Sequence, residues 1–157
     1  MQKKRGKEKL IGVDKMRTYE LVPNRSLGIF ILGDKIDKYL ALPYEYEPAR
    51  SFGNGTNYET YYFFDSSICV WTVNDRISSI DCDYACYWKG KNLIGMLYDD
   101  FIAFVQCEPD SQDSFYVPIN AFRGQNQMAY DFLTLGLTIW VWRKKIRSVV
   151  VDNYEDE

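Results

Sequence analysis

Hydrophobic and polar residues alternate along two stretches of the chain that resemble each other. Residues 61–83 and 130–152 align without a gap at an offset of 69, with six identities in 23 positions. The identities are Tyr61/Tyr130, Phe63/Phe132, Trp71/Trp140, Ile77/Ile146, Ser79/Ser148 and Asp83/Asp152. Each stretch has two β-branched and aromatic runs around a polar pair, Asn74-Asp75 or Arg143-Lys144, which predicts a β-hairpin. We therefore interpret the two stretches as an internal repeat.

A short helix is predicted ahead of each hairpin. Asp34 is a suitable N-cap for a helix over 34–42, and Asp99 is suitable for a helix over 99–106. In both segments apolar residues recur at helical spacing, and the two sets match at an offset of 65. A buried strand over 101–107 is the alternative for the second helix.

The segments between helix and hairpin are predicted to be loops. Residues 43–57 contain two prolines and two glycines, and a polar segment rich in Asp and Gln follows Pro109. The sequence thus predicts an α+β fold. Two helix–β-hairpin repeats, about 28–83 and 93–152, share one mainly antiparallel sheet and pack their helices on one face.

Charge is unevenly distributed along the chain. Residues 1–17 have seven Lys/Arg and two Asp/Glu (7 − 2 = +5), whereas residues 18–157 have 12 and 20 (12 − 20 = −8). We interpret residues 1–17 as a flexible basic leader, with a nucleic-acid-binding arm as the alternative. Residues 18–152 are predicted to form a single domain and residues 153–157 an acidic, frayed tail. The acidic domain favours basic partners and disfavours nucleic acid.

The composition argues against an enzyme. The chain has no histidine, so it has no Ser-His-Asp or Cys-His device, and it has no P-loop or dinucleotide fingerprint. Two carboxylate pairs, Asp81/Asp83 and Asp99/Asp100, remain as candidates for acid–base chemistry. The first pair also fits the wet face of a strand, and the second fits the start of a helix. We therefore expect no catalytic residues and no cofactor.

The cysteines and the apolar runs indicate a cytoplasmic protein. Zinc sites normally use two close cysteine pairs, and of the four cysteines only Cys82 and Cys86 are close in sequence, so no metal site is expected. Free cysteines fit a reducing compartment. No apolar run is long enough for a membrane helix, and the basic N-terminus lacks the apolar segment of a signal peptide.

Tyrosines beside carboxylates are the surface pattern that most favours a binding function. Tyr and Trp are common binding hot spots, and acidic charge speeds encounter with a basic partner. The candidate partner-binding residues are Tyr44, Glu45, Tyr46, Glu47, Asp81, Asp83, Tyr84, Tyr87, Asp99 and Asp100. For any single one of them, a solvated acidic face without a partner is the alternative. Trp71, Trp140 and Trp142 are expected in the core, although their strands are apolar on both faces and leave one face for a loop or a partner.

Short motifs resemble known proteins. Tyr19–Gly28 followed by Phe30–Gly33 resembles the opening motif of an otherwise uncharacterised family that includes eukaryotic phagophore-associated proteins. Asp131-Phe132, Leu135–Leu137 and Ile139–Val141 are similar to that family's recurring hairpin. Small acidic one-domain chains of this appearance resemble immunity proteins of bacterial contact-dependent growth-inhibition and other polymorphic toxin systems.

The resemblance implies a function but no site residues. It implies a non-enzymatic cytosolic protein that binds and neutralises a basic toxin domain, commonly a nuclease. The alternative is a scaffold or trafficking adaptor that docks a partner on its apolar sheet face. Neither alternative needs a membrane or nucleic acid as a partner.

Overall fold

The molecule is built around one large antiparallel sheet. The computed structural model describes residues 16–51 and 57–152, so the first 15 residues of the predicted leader and the predicted tail lie outside the described residues. The strands are β1 (Leu21–Val22), β2 (Ser26–Leu27), β3 (Phe30–Ile31), β4 (Tyr44–Ser51), β5 (Asn57–Phe63), β6 (Ile68–Val73), β7 (Arg76–Cys82), β8 (Tyr87–Trp88), β9 (Lys91–Asn92), β10 (Ser111–Pro118), β11 (Gly124–Phe132), β12 (Leu137–Trp142) and β13 (Lys145–Asp152). The helical segments are residues 16–18, a 3-10 helix (Ile36–Tyr39) and α1 (Tyr98–Val105). Eight strands form the large sheet in the order β10-β11-β12-β13-β7-β6-β5-β4, and β1-β2-β3 and β8-β9 form two small sheets.

The predicted α+β fold of two helix–β-hairpin repeats with helices on one face is wrong. Strands account for 54% of the structure and helices for 12%. The main reason is that both segments predicted to be loops contain the edge strands of the large sheet, β4 and β10. Pro48 is tolerated in β4 because it lies on a sheet edge, where the register shifts between Glu47 and Arg50.

The first predicted helix is reduced to a single turn. Instead of residues 34–42, only the four residues of the 3-10 helix are helical, and no side chain caps them. Asp34, predicted as the N-cap, accepts hydrogen bonds from Lys38 Nζ at 2.8 Å and from the Tyr39 hydroxyl at 2.7 Å. These two bonds lower the pKa of Asp34. The Asp34 carboxylate therefore stabilises the turn by binding the side chains of Lys38 and Tyr39, and it does not act as an N-cap.

The second predicted helix is confirmed to within one residue at each end. It begins after Leu97, so Asp99 lies in its first turn and is not the N-cap. Its C-terminal neighbour Gln106 is left-handed, with φ of 52°, and its N–H bonds the carbonyl of Ile102 at 2.9 Å. The alternative of a buried strand over 101–107 is therefore wrong.

The two halves of the large sheet repeat each other in register. The pair Val70–Ile80 in β6-β7 corresponds to Ile139–Val149 in β12-β13 at an offset of 69. Both hairpins shift register at the same place, directly after Trp71 in one and after Trp140 in the other, and the predicted two-residue turns of both are confirmed. All four turn residues have positive φ, as a type I′ turn requires.

An approximate two-fold axis relates these halves. β7 and β13 pair antiparallel in the middle of the sheet, and Asp81 lies opposite Val150, its own equivalent at the offset of 69. A pairing between equivalent residues of antiparallel strands is what a two-fold rotation produces. The axis therefore passes between Asp81 and Val150.

The segments before each half dock on it in equivalent ways. Gly33 N–H donates to the carbonyl of Ile77, and Gly95 N–H donates to that of Ile146, both at 2.8 Å. These glycines are 62 residues apart, so the helical segments correspond at that offset and not at 65. Their φ angles are +87° and +85°, where glycine is favoured because it has no Cβ.

The core lies against one face of the large sheet, which we call the covered face. Phe30 packs on Phe63 with ring centroids 4.7 Å apart, and Phe101 packs on Phe132 at 5.5 Å. All four rings are buried, so each half of the sheet has its own aromatic contact in one continuous core. Among the described residues, no helix has the length and apolar character needed to cross a bilayer.

Candidate partner-binding face

The opposite face of the large sheet, which we call the open face, is not covered by any described helix or strand. Along β6 the side chains alternate between buried and half-exposed, and Cys69, Trp71 and Val73 are the half-exposed ones. Because directly paired residues of adjacent strands share a face, the register shows which other residues lie beside them. The central row of this face contains Glu45, Tyr62, Cys69, Asp81, Val150, Thr138, Asp131 and Ser111.

Two further rows flank the central row. One contains Glu47, Thr60, Trp71, Ser79 and Asp152, and the other contains Ser148, Trp140, Ala129 and Asp113. Asp83 lies one residue beyond the end of β7, and its charge acts on Asp81 and Cys69 of the central row. The three rows themselves carry six carboxylates, namely Glu45, Glu47, Asp81, Asp113, Asp131 and Asp152. No Lys or Arg belongs to these three rows.

Cations near this face belong to the hairpin turns and their flanks. The guanidinium groups of Arg143 and Arg147 lie over the ring of Trp142, at 4.4 and 5.7 Å from its centroid. Arg147 also acts on Asp83. Burial raises the pKa of the Asp83 carboxyl, and the positive charge of Arg147 opposes that rise. None of these cations belongs to the three rows at the centre of the face.

Two carboxylates of the central row differ sharply in their surroundings. Asp131 accepts hydrogen bonds from Ser111 Oγ at 2.9 Å and from Thr138 Oγ1 at 2.7 Å. Asp81 Oδ1 is shielded from solvent and has no hydrogen-bond partner in the described part of the chain. Burial, and to a smaller extent repulsion by Asp83, raise the pKa of the Asp81 carboxyl to about 7. Asp81 is therefore an acceptor without a donor.

The thiol of Cys69, which lies opposite Asp81 on β6, is expected to be unreactive. Burial, followed by the charges of Asp81, Glu47 and Asp83, raises the pKa of Cys69 well above its ordinary value. A thiol is nucleophilic and binds metal as the thiolate, so Cys69 is poorly suited to either role. Over residues 16–51 and 57–152, no three or more His, Cys, Asp or Glu side chains lie close enough together to hold a metal ion. The carboxylates of the open face can therefore accept hydrogen bonds and attract cationic groups.

The structure brings four of the ten predicted binding residues together. Glu45, Glu47 and Asp81 lie on the open face, and the charge of Asp83 acts on Asp81. Tyr44 and Tyr46 belong to the same edge strand, but they pair with Phe63 and Tyr61 and therefore point to the covered side. The Tyr46 hydroxyl donates to Glu59 Oε2 at 2.7 Å, which fixes the ring along the sheet edge.

The other four predicted residues lie away from the open face. The ring of Tyr84 contacts Tyr19 at 5.5 Å, and the Tyr87 N–H bonds the carbonyl of the same Tyr19 at 2.8 Å. Asp99 and Asp100 are exposed in the first turn of α1, the helix that packs on the covered face. The binding roles of these four residues stay predictions. The carboxylates of Asp99 and Asp100 do not belong to the rows of the open face.

Sequence reasoning missed several residues of the open face. Trp71, Trp140 and Trp142 were expected in the core and are instead half-exposed on this face. Phe115 of β10, whose ring lies 5.2 Å from that of Trp140, adds another exposed aromatic side chain. The sequence did indicate that these strands are apolar on both faces. The alternation of side chains along a strand does not show, however, which of the two faces the rest of the chain covers.

Comparisons with known proteins do not indicate a function for this face. No known protein family, curated protein or solved structure matches the chain. The function is therefore argued from the open face and from the chemistry of its side chains.

Proposed function

We propose that the protein is a non-enzymatic binding protein of the cytosol that takes a basic protein partner on its open face. One observation carries the proposal: the three rows contain six carboxylates, the two half-exposed tryptophans Trp71 and Trp140, and no Lys or Arg. Such a field attracts positive charge and speeds encounter. Half-exposed tryptophans supply large contact areas that lose little side-chain entropy on binding.

Within this class, an immunity protein that neutralises a basic nuclease toxin fits the face best. A nuclease carries positive charge where it holds the phosphate backbone. Carboxylates at that surface would compete with the phosphates and keep the nucleic acid away. An inhibitor of this kind needs no catalytic residue of its own.

A scaffold that docks an apolar partner is the second candidate, because aromatic side chains lie on the same face. Phe115 is 44% exposed and contacts Trp140, so an apolar strip crosses β10 and β12. The dependence of binding on salt concentration distinguishes the two candidate functions. Exposed charges are screened within about 8–10 Å at physiological ionic strength, whereas apolar contact does not weaken with salt.

The test is capture of a partner from the source cell's lysate on the immobilised full chain, at low and high salt. The open-face variant Glu45→Gln/Glu47→Gln removes two exposed carboxylates from β4. The matched control, Asp99→Asn/Asp100→Asn, removes two exposed carboxylates from α1. Both variants change the net charge equally, so a difference between them locates the binding face.

The proposal expects a defined pattern of results. The captured partner is basic, it is lost at high salt and from the open-face variant, and it is retained by the control. The purified chain then inhibits the partner's nuclease activity at equimolar concentration. A partner that is held equally by both variants, or that is indifferent to salt, would contradict an acidic open face as the binding surface.

A further inference from the structure

We propose that Asp81, at the two-fold axis of the sheet, receives an arginine side chain of the partner between Trp71 and Trp140. This inference rests on the proposed function and names the contact at the centre of its binding face. The Oδ1 atom of Asp81 is shielded from solvent, yet the strand register places Asp81 on a face that no described element covers. Because the other side of β7 packs on the core, a donor could reach Oδ1 only from this face, after the side chains that shield it move aside.

The described residues give the Oδ1 atom of Asp81 no hydrogen-bond donor. The one charge that acts on Asp81 noticeably is the repulsive carboxylate of Asp83. Directly across on β6 lies the neutral Cys69, and directly across on β13 lies Val150. Arg147 acts on Asp83 instead. Buried carboxylates normally have partners, so a donor from outside the chain is the simplest completion of this site.

Trp71, on the strand next to Asp81, and Trp140, which lies in the same relation to Val150, favour arginine over lysine. Trp71 and Trp140 are equivalent under the two-fold axis and lie in the rows on either side of the central row. A planar guanidinium can stack on an indole ring while it donates to a carboxylate, which an ammonium group cannot do as well. The same face already shows this stacking, since Arg143 lies over Trp142 at 4.4 Å.

Asp81 also has a pH response that the bound arginine would change. Near neutral pH its carboxyl is only partly ionised, because its pKa lies at about 7. A guanidinium prefers the ionised form, so binding lowers this pKa and releases a proton. Affinity is therefore expected to rise between pH 6 and pH 8. The charged groups near the site, Glu47, Asp83 and Arg147, are shared by every variant used in the test.

The experiment is calorimetric titration of the full chain with a tetra-arginine amide peptide and, separately, with a tetra-lysine amide peptide. Three proteins are compared: the natural chain, Asp81→Asn, and the control Asp37→Asn, which removes an exposed carboxylate from the 3-10 helix, away from the open face. We expect Asp81→Asn to bind tetra-arginine about tenfold more weakly than the natural chain. The control should stay within about twofold, and tetra-lysine should bind more weakly than tetra-arginine. Carbon-13 spectra should show the carboxyl pKa of Asp81 falling when tetra-arginine binds.

The outcomes separate this inference from the proposed function. If Asp81→Asn binds tetra-arginine as tightly as the natural chain, and binding still weakens with salt, the inference fails while the acidic face stands. Equal affinity for the two peptides, or an unchanged Asp81 pKa, would also overturn the arginine site. If neither peptide binds any of the three proteins, both the inference and the acidic-face proposal are overturned.

Discussion

Replacing Asp81 by valine should stabilise the protein at pH 8. Valine is the residue that the equivalent position across the two-fold axis already carries, as Val150 shows, so the exchange suits a half-buried strand. It also removes a carboxylate that has no hydrogen-bond donor in the described structure. The natural chain therefore keeps a destabilising group at the middle of its sheet.

The size of the effect follows from the pKa. A rise from the ordinary value of 3.8 to about 7 means that folding disfavours the ionised form. The unfolded chain loses this proton first, so the natural protein loses stability as pH rises from about 4 to about 7. The full loss, present above pH 7, has a ceiling of about 4 kcal/mol. For a chain of this length that corresponds to an increase in Tm of up to about 10 °C for the valine variant.

Urea denaturation of both proteins at pH 4, 5.5, 7 and 8 measures the difference. The gain of Asp81→Val should be largest at pH 8 and should shrink towards pH 4, where the carboxyl is protonated in both states. Asp113→Asn is the control, and its free energy of unfolding should stay within about 0.5 kcal/mol of the natural chain. The reasoning is refuted if Asp81→Val is less stable at pH 8, or if its gain is the same at every pH.

Two further predictions concern matched pairs of positions in the fold. Phe30→Ala should lower the free energy of unfolding by about 3–5 kcal/mol because the ring is fully buried. Phe122→Ala removes a ring that is 95% exposed and should change the free energy of unfolding by less than about 0.5 kcal/mol. Equal effects of the two variants in urea denaturation would contradict this assignment of the core. Gly136→Ala should cost about 2 kcal/mol or more, because its Cβ would lie 2.5 Å from Asn24 Oδ1 at a φ of +61°. Gly33→Ala meets no atom within 4 Å and should cost about 1 kcal/mol from its positive φ alone, so a thermal melt that ranks the two glycines in the opposite order would contradict this packing.

The hairpins of the large sheet could be predicted from sequence because local signals agree there. Valine, isoleucine and aromatic residues flank Asn74-Asp75 and Arg143-Lys144, and these pairs accept the positive φ of a tight turn. The edge strands could not be predicted in this way. β4 contains Pro48 and two glutamates, and β10 begins with polar residues, so neither has the composition of a strand. Pairing with β5 and β11 overrides that composition, and such pairing is not a local property.

The candidate site could be predicted only in part, for a related reason. The sequence shows the carboxylates Glu45 and Asp81, but they are 36 positions apart in the chain. They lie in one row because β4, β5, β6 and β7 pair in a fixed register, which no local pattern specifies. The absence of a donor for Asp81 depends on Val150, which comes from the other half of the chain.

The two-fold axis also has a consequence for the geometry of any complex. A surface with two equivalent halves offers a partner two orientations, 180° apart, and Trp71 and Trp140 alone would not distinguish them. The central row removes this ambiguity, because Asp81 faces Val150 across the axis, and Glu45 at one end of the row is matched by Ser111 at the other. A partner with one arginine at its centre would be bound in a single orientation, with one copy per chain. On the proposed function, the few positions at which the two halves of the sheet differ would therefore determine how a partner is aligned on it.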